Sequence, residues 1–243
     1  MQTMHRRLFL TCAISSVSLL SACASKGTMP QRPASGSGRF NPSQIVKTDI
    51  DRVAEAHQQE VFSRLRVIAE KLYRRNPREM NKSKQTSVDV AVARLFDVDH
   101  RWNFSTLRRA RGTRAIQLSL NEDYTDDRVL AFVLGLASMI QSAFRDRIES
   151  FALDDLDAQG LYNAARNIEI AVWKLSSTRD ARGELLLLSN EINGPVINIS
   201  FEREFGKIIA SLDILSKIAA DKTSRAVVKV IQSLATAVFL PVR

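Results

Sequence analysis

The sequence predicts a mainly α-helical fold, a bundle of about six helices joined by short connections. Apolar residues recur at three- and four-residue steps over most of the chain, which is the period of a helix that buries one face. The composition, 45% hydrophobic and 25% charged residues, is that of a globular protein. No repeat of fixed length is evident, which argues against a solenoid.

The first predicted helix is long. It begins at Asn41-Pro42, because asparagine caps a helix and proline fits its first turn. It ends near Arg75, because Pro77 disfavours helical backbone for Asn76. One stripe of this helix carries Val46, Ile50, Val53, His57, Val61, Leu65, Ile68 and Leu72.

Two short elements are predicted next. Residues 87–96 form a helix, because three of their apolar side chains share one face. Those three are Val88, Val92 and Leu95. Residues 116–120 alternate apolar with polar side chains, which predicts a strand. The apolar members are Ile116, Leu118 and Leu120.

The central helix is predicted from an uninterrupted apolar run. Asp126-Asp127 opens it, at the end where acidic side chains suit the helix dipole. Residues 129–144 are apolar nearly all round, which is typical of a helix buried at the centre of a bundle. Because Arg128 and Arg145 bound the run, it falls short of the roughly 20 residues that span a bilayer.

The C-terminal half is predicted to hold three more helices. Asp154-Asp155 begins the first, which residues 179–183 end. Its inner face carries Leu161, Ile168, Val172 and Leu175. The turn Asn193-Gly194-Pro195 closes a small β-hairpin or connects two helices, and both readings stay open.

The last two of these helices follow that turn. The first is strongly amphipathic and carries Phe201, Phe205, Ile208, Leu212, Leu215 and Ala219 on one face. Ser224 is predicted to cap the second, which Pro241 ends. Its apolar residues are Val227, Val230, Ile231, Leu234 and Val238.

The N-terminal segment has the order of an export signal. Residues 1–7 form a short segment that is basic through Arg6 and Arg7. A mostly apolar stretch, residues 8–20, comes next, and Leu20-Ser21-Ala22-Cys23 follows at once. This order resembles the lipobox of bacterial lipoproteins. The resemblance implies that the Cys23 thiol receives a diacylglycerol and that cleavage makes Cys23 the new, lipid-modified N-terminus.

This reading divides the chain into three parts. Residues 1–22 are the signal peptide, residues 23–40 are the lipidated cysteine with a tether, and residues 41–243 are one helical domain. The tether is rich in Gly, Pro and Ser and holds almost nothing large and apolar, so we expect it to be flexible. Lipid chains on Cys23 would hold the domain at a membrane.

The route and the destination of export are less closely defined. Arg6-Arg7-Leu8-Phe9-Leu10 resembles a twin-arginine motif, although His5 and Thr11 depart from its usual flanks. Two arginines are also ordinary before an apolar stretch, so the general secretory route stays open. Ala24 stands after the cysteine instead of the aspartate that retains many lipoproteins at the inner membrane. The resemblance therefore implies an outer-membrane lipoprotein that faces the periplasm, if the source is Gram-negative.

Charge and cysteine content narrow the function classes. The formal net charge is +9, and the leader contributes only Arg6 and Arg7, so the domain itself is basic and favours anionic partners. Nucleic acid is not expected as a partner, because an exported domain rarely meets it. The only cysteines are Cys12 and Cys23, so the helical domain has neither a disulfide nor a thiolate metal site.

The sequence contains no motif that indicates catalysis. Nucleophile elbows, Ser-x-x-Lys pairs, zinc-protease motifs and phosphate-binding glycine loops are all missing, so we expect no enzyme and no cofactor. The acid pairs Asp126-Asp127 and Asp154-Asp155 are explained by helix starts. A hydrolase that uses an acid pair is the less favoured alternative.

A metal site is considered at Asp97, Asp99 and His100, which supply carboxylates and an imidazole within four residues. A tight site needs further convergent ligands, and His57 stands alone on the first helix. We therefore interpret the two aspartates as polar residues of a helix end or loop, and His57 as a core or boundary residue, and expect no metal.

Two basic clusters are the best functional hint. They consist of Arg74, Arg75, Arg78, Lys82 and Lys84, and of Arg101, Arg108, Arg109, Arg111 and Arg114 around Trp102 and Phe104. If they converge, they form a cationic face with an aromatic element that could bind the phosphates of lipid headgroups, lipopolysaccharide, acidic glycans or an acidic protein. A solvated surface with ordinary salt bridges is the alternative. The candidate binding residues are Arg74, Arg75, Arg78, Arg101, Trp102, Arg108, Arg109 and Arg111.

The leading hypothesis from sequence is a non-enzymatic envelope lipoprotein whose helical domain supports another envelope component. The alternative is a carrier or sensor that holds a lipidic or other anionic ligand between its helices. The resemblance covers only the first tenth of the chain, and the mature domain resembles no family we can name.

Overall fold

The computed structural model describes residues 49–98, 100, 102–146, 156–193, 195–224, 226–230, 233–234 and 236–242. All of them belong to one unit, Asn41–Arg243. The prediction of a mainly α-helical bundle is confirmed. Within the described ranges the elements are α1 (Asp49–Arg75), α2 (Pro77–Lys82), α3 (Val88–Phe96), a 3₁₀-helix (Ser105–Leu107), α4 (Gly112–Ser119), α5 (Arg128–Ala143), α6 (Ala158–Ser177), β1 (Glu191–Asn193), β2 (Val196–Asn198) and α7 (Ser200–Thr223).

Helix α5 lies at the centre of the fold, as its apolar run predicts. Fifteen of its residues, from Arg128 to Ala143, are buried. It packs against α1, α2, α4 and α6. Asp127 caps its N-terminus by accepting a hydrogen bond from the Leu130 N–H at 2.9 Å, which confirms the predicted start.

Helix α1 packs against α3, α5 and α7, while α6 packs against α5 and α7. The predicted end of α1 at Arg75 is confirmed, and the predicted start at Asn41-Pro42 lies outside the described residues. The predicted stripe is wrong near the helix start, where Val53 is 45% exposed and His57 half-buried. Ala54 and Gln58 are the buried residues of those turns.

The strand predicted over residues 116–120 is wrong, because these residues belong to α4 and its C-terminal end. Ala115, Ile116 and Ser119 share the buried face of this helix. Five residues are too few to separate a period of 2 from one of 3.6. The helix lies very close to α5: a Cβ added at Gly135 would sit 2.7 Å from the Ile116 backbone nitrogen.

The final helix predicted after Ser224 is also wrong. Ser224 ends α7 in the left-handed conformation, with φ 51°, and none of the described residues from 226 to 242 is helical. This segment lies along α6, where carboxamide side chains hydrogen-bond its backbone. Asn167 accepts from the Leu240 N–H at 2.6 Å and donates to the Leu240 carbonyl at 2.8 Å. Gln159 forms the same pair of bonds with Val228.

The remaining C-terminal elements follow the sequence reading more closely. The open choice at residues 193–195 resolves as a hairpin, in which Glu191 pairs with Asn198 and Ile192 with Ile197. Helix α7 is confirmed. The predicted helix start at residues 154–155 lies outside the described residues, and Asp157 is the N-cap residue of α6. The described helices include no candidate for a membrane span, and the strongly apolar α5 has only 16 residues.

Candidate ligand-binding cleft

A cleft of about 690 Å³ opens beside α1, α3 and the loop that follows α3. Its size lies within the range of small-molecule binding sites, about 300–1,000 Å³. Most of the surface that lines it is apolar. The residues that define it are Phe62 and Arg66 from α1, Leu95 and Phe96 from α3, and Asp97 and Trp102 from the loop.

Three aromatic rings form the apolar side of the cleft. The Trp102 ring stacks on Phe62, with centroids 6.0 Å apart and planes 19° apart. Phe96 meets the same indole edge-on, at 5.9 Å and 79°. All three side chains are half-buried, so each ring leaves part of its surface in contact with solvent. Such surface is available to an apolar group that enters the cleft.

His100 holds the Trp102 loop in place. Its Nε2 donates to the Leu95 carbonyl at 2.8 Å, and its Nδ1 accepts the Trp102 N–H at 2.9 Å. Both bonds together require a neutral imidazole with its proton on Nε2. Trp102 adopts a left-handed backbone with φ 55°, an unfavourable conformation for a bulky residue. Surrounding contacts must offset such strain, and strained residues cluster at binding sites.

A charged pair lies at the rim of the cleft. The Arg66 guanidinium donates to both carboxylate oxygens of Asp97, to Oδ2 at 2.9 Å, and its Cζ lies 5.9 Å from the centroid of the Phe96 ring. The hydrogen bond from Arg66 lowers the pKa of the Asp97 carboxyl, and the same bond raises the pKa of Arg66. The cleft therefore offers an apolar wall beside a charged and exposed rim.

The first predicted basic cluster lies at the end of α1 and in α2. Its members from Arg74 to Lys82 contact carboxylates, in agreement with the alternative of ordinary salt bridges. The pairs are Arg74 with Glu70, Arg75 with Glu191, and Arg78 and Lys82 with Glu79. A role for this cluster in binding an anionic partner stays a prediction.

The second predicted basic cluster surrounds the 3₁₀-helix and the start of α4. Arg108 and Arg109 are exposed and left-handed, with φ 48° and 61°, and Arg111 pairs with Asp146 at 3.2 Å. Trp102 faces the cleft, whereas Phe104 is buried. The two aromatic residues therefore do not form one exposed surface. Arg101 lies outside the described residues.

A buried charged cluster, Glu79 and Asp127 with their partners, joins α2 to the start of α5. Glu79 is fully buried and accepts from the Arg128 N–H at 2.9 Å and from Lys82 Nζ at 2.8 Å. Asp127 accepts from Tyr73 at 2.9 Å and Ser83 at 2.8 Å, besides its capping bond. Burial raises the pKa of Asp127 and the pKa of Tyr73.

The residues considered as metal ligands do not assemble into a site among the described residues. Within that part of the chain no group of three or more His, Cys, Asp or Glu side chains is placed to hold an ion. Asp97 is engaged by Arg66, and both ring nitrogens of His100 are hydrogen-bonded. Asp99 lies outside the described residues.

No family model, curated protein or solved structure matches this chain. The cleft is therefore interpreted from its own geometry.

Sequence reasoning missed most of the cleft. Phe62 and Arg66 stand four residues apart on α1, next to the buried stripe and not on it. A phenylalanine off the stripe of an amphipathic helix is a usable signal, since it marks apolar surface that the core does not take up. The sequence places Phe96 at the end of a short helix and gives no sign that it lines a cleft.

Proposed function

We propose that this chain is a lipid-anchored protein of the bacterial cell envelope, and that its helical domain acts by binding an amphipathic ligand in the cleft. The anchor is proposed from the lipobox that ends at Cys23. The binding role is carried by one observation, the half-buried rings of Trp102 and of the two phenylalanines around it beside the exposed Arg66–Asp97 pair. An apolar body would lie on the rings while a polar end meets the pair.

Binding is a better explanation of this cleft than catalysis. Its two acid–base candidates, Asp97 and His100, are both held by hydrogen bonds with neighbouring residues. A general acid or base must reach the substrate with a site for the proton. These bonds instead fix the shape of the loop, which supports a preformed binding site.

The chain is well suited to a fluorescence test, because Trp102 and Trp173 are its only tryptophans. In Trp173→Phe the remaining indole reports the cleft alone. We expect the neutral apolar probe N-phenylnaphthylamine to protect this indole from contact quenching by acrylamide, and the protection to saturate. In Trp102→Phe, which retains the half-buried Trp173 on α6, we expect little protection.

A cleft variant checks that the same rings carry the affinity. Phe62→Ala removes the ring stacked on Trp102, and we expect it to weaken probe binding about tenfold. Phe62→Leu keeps apolar volume and is expected to weaken it less. Equal protection of Trp102 and Trp173, or full affinity in Phe62→Ala, would contradict a site in the cleft. If the probe does bind in the cleft, mass spectrometry of gently purified protein would identify the natural ligand.

The anchor has a test of its own. We expect Cys23→Ser to yield an uncleaved precursor that no longer incorporates labelled palmitate, whereas Cys12→Ser is processed normally. Unchanged labelling of the Cys23→Ser chain would contradict the proposed anchor and would leave the cleft proposal standing.

Support of another envelope component remains a second candidate function. One observation favours it: Arg108 and Arg109 are exposed, and neither pairs with a carboxylate in the described part of the chain. We expect crosslinking in cells to capture a specific protein that Arg108→Ala/Arg109→Ala loses while Phe62→Ala retains it. Loss in Phe62→Ala alone would instead assign the contact to the cleft.

A further inference from the structure

A second, smaller cavity lies where the end of α2, α3 and the loop before α5 meet. Its volume is about 180 Å³. That is below the usual size of an organic-ligand pocket, about 300 Å³, and well above the roughly 30 Å³ that one water occupies. The cavity therefore has room for one small ion and a few waters. Lys84, Arg94, Thr106 and Tyr124 lie around it.

Tyr124 provides the first sign that a ligand belongs there. The residue is 9% exposed, and its hydroxyl is buried with no hydrogen-bond partner. A buried polar group without a partner costs about 1–3 kcal/mol, so native structures rarely leave one unexplained. Because Tyr124 lines the cavity, a ligand with acceptor atoms in this cavity is a candidate for the missing partner.

Two cations in the same cavity also lack an acceptor. Among the described residues, neither the Arg94 guanidinium nor the Lys84 ammonium donates to a carboxylate or a carbonyl. The Arg94 guanidinium lies over the face of Phe104, with its Cζ 5.3 Å from the ring centroid, and this contact leaves the N–H groups free. Three residues with unpaired donors, from three different segments, therefore line one small space.

Two carboxylates, Asp126 and Asp127, also line the cavity, but neither accepts a hydrogen bond from Arg94 or Lys84. Both oxygens of Asp127 accept from Leu130, Ser83 and Tyr73 instead. Asp126 is exposed, so solvent weakens its charge without removing it. Lys82 also lines the cavity but is committed to Glu79.

We infer that this cavity is a binding site for a phosphoryl-type oxyanion, held by Arg94, Lys84 and the Tyr124 hydroxyl. A phosphoryl group fits because it presents several acceptor oxygens in different directions, whereas the three donors approach from different sides. Arginine and lysine are the usual partners of such groups, and their charge-assisted hydrogen bonds are stronger than neutral ones. The group is supplied either by free inorganic phosphate or by a lipid headgroup.

Calorimetric titration of the purified full-length chain in phosphate-free buffer and a phosphate-free detergent tests this site. The probes are inorganic phosphate, glycerophosphoglycerol as a soluble diester headgroup, and acetate as an anion of different shape. We expect saturable binding of a phosphoryl probe and much weaker binding of acetate. Tighter binding of inorganic phosphate supports a free ion, and tighter binding of the diester supports a lipid headgroup. Equal binding of all three probes overturns the proposal.

Four variants give the test its specificity. We expect Arg94→Gln and Lys84→Ala to weaken binding about tenfold and Tyr124→Phe several-fold. Asp126→Asn, which removes a nearby negative charge, should strengthen binding.

Arg203→Gln and Lys217→Ala remove exposed cations of α7 and are the matched controls, with unchanged affinity. Because Lys84 is exposed and Tyr124→Phe removes one oxygen, these variants should fold. Wild-type affinity in both overturns the proposal.

Discussion

Two charged clusters of this protein pair carboxylates with cations, and they differ in exposure. The buried cluster encloses Glu79, which is 0% exposed, whereas the Arg66–Asp97 pair at the cleft rim has side chains 44% and 51% exposed. Water solvates the rim pair in any state, so the pair adds little to stability. The buried carboxylates have only protein partners, so losing one partner leaves a desolvated group. The comparison indicates that the first cluster serves the fold and that the second is free to serve binding.

The largest effect is expected at Glu79. Glu79→Ala leaves the buried Arg128 N–H without an acceptor and removes the contacts of Lys82 and Arg78. We expect a loss of about 2–4 kcal/mol in the free energy of unfolding, measured by urea denaturation. The control is Glu70→Ala, which removes an exposed pair with Arg74 and should cost no more than about 1 kcal/mol. Equal losses in the two variants would contradict the comparison.

The stability of the fold also depends on the close packing of α5 against α4. A pair of glycine variants tests this contribution. In Gly135→Ala the new Cβ would lie 2.7 Å from the Ile116 backbone and 2.8 Å from the Gly112 carbonyl oxygen. We expect a cost of about 1–3 kcal/mol, because backbone must move. Gly206→Ala on α7 meets nothing within 4 Å and should stabilise by about 0.5–1 kcal/mol. Thermal unfolding of both variants checks the opposite signs.

These sites differ in how far the sequence predicts them. An apolar run without a polar face identifies α5, and an acidic residue before it identifies the Asp127 cap, because both signals are local. The burial of Glu79 and the unpaired hydroxyl of Tyr124 depend on how α2 and a loop pack against α5. No pattern of neighbouring residues in the sequence predicts such tertiary contacts.

The C-terminal segment after Ser224 is another part of the fold that local sequence patterns do not predict. Its apolar residues have helical spacing, yet Asn167 and Gln159 on α6 hold its backbone in a non-helical conformation. The competing hydrogen bonds come from residues about 70 positions earlier in the chain. Val238 is consequently 72% exposed instead of lying on the apolar face of a helix. Tertiary partners therefore override the local propensity.

Asp127 is expected to make the stability depend on pH, with a smaller effect than the Glu79 and Gly135 substitutions. Burial raises the pKa of Asp127 above its ordinary 3.8, so the folded state keeps this proton to higher pH than the unfolded state. The stability that Asp127 contributes therefore falls as pH rises from 3.8 through the raised folded pKa. We expect wild-type protein to lose stability relative to Asp127→Asn over this window, measured by denaturation at a series of pH values.

A second aspartate supplies the opposite sign. The backbone hydrogen bond from Glu184 lowers the pKa of Asp180, so its contribution is present above pH 3.8 and is lost as pH falls through the lowered value. Relative to Asp180→Asn, wild-type protein should therefore lose stability as the pH falls. The same slope for both variants would show that global charge, and not the site, sets the dependence.

The smallest effect on stability is expected at the cleft rim, where Asp97→Ala frees the Arg66 guanidinium. Because the pair is exposed, the melting temperature should barely change. Binding should change instead, since an unpaired Arg66 beside the Phe96 ring attracts anions. We expect Asp97→Ala to bind the anionic apolar probe anilinonaphthalene sulfonate several-fold more tightly, with unchanged affinity for neutral N-phenylnaphthylamine. Arg66→Gln should show the reverse preference. A large fall in melting temperature in Asp97→Ala would mean that the exposed pair stabilises the fold. It would contradict the conclusion that only the buried cluster does so.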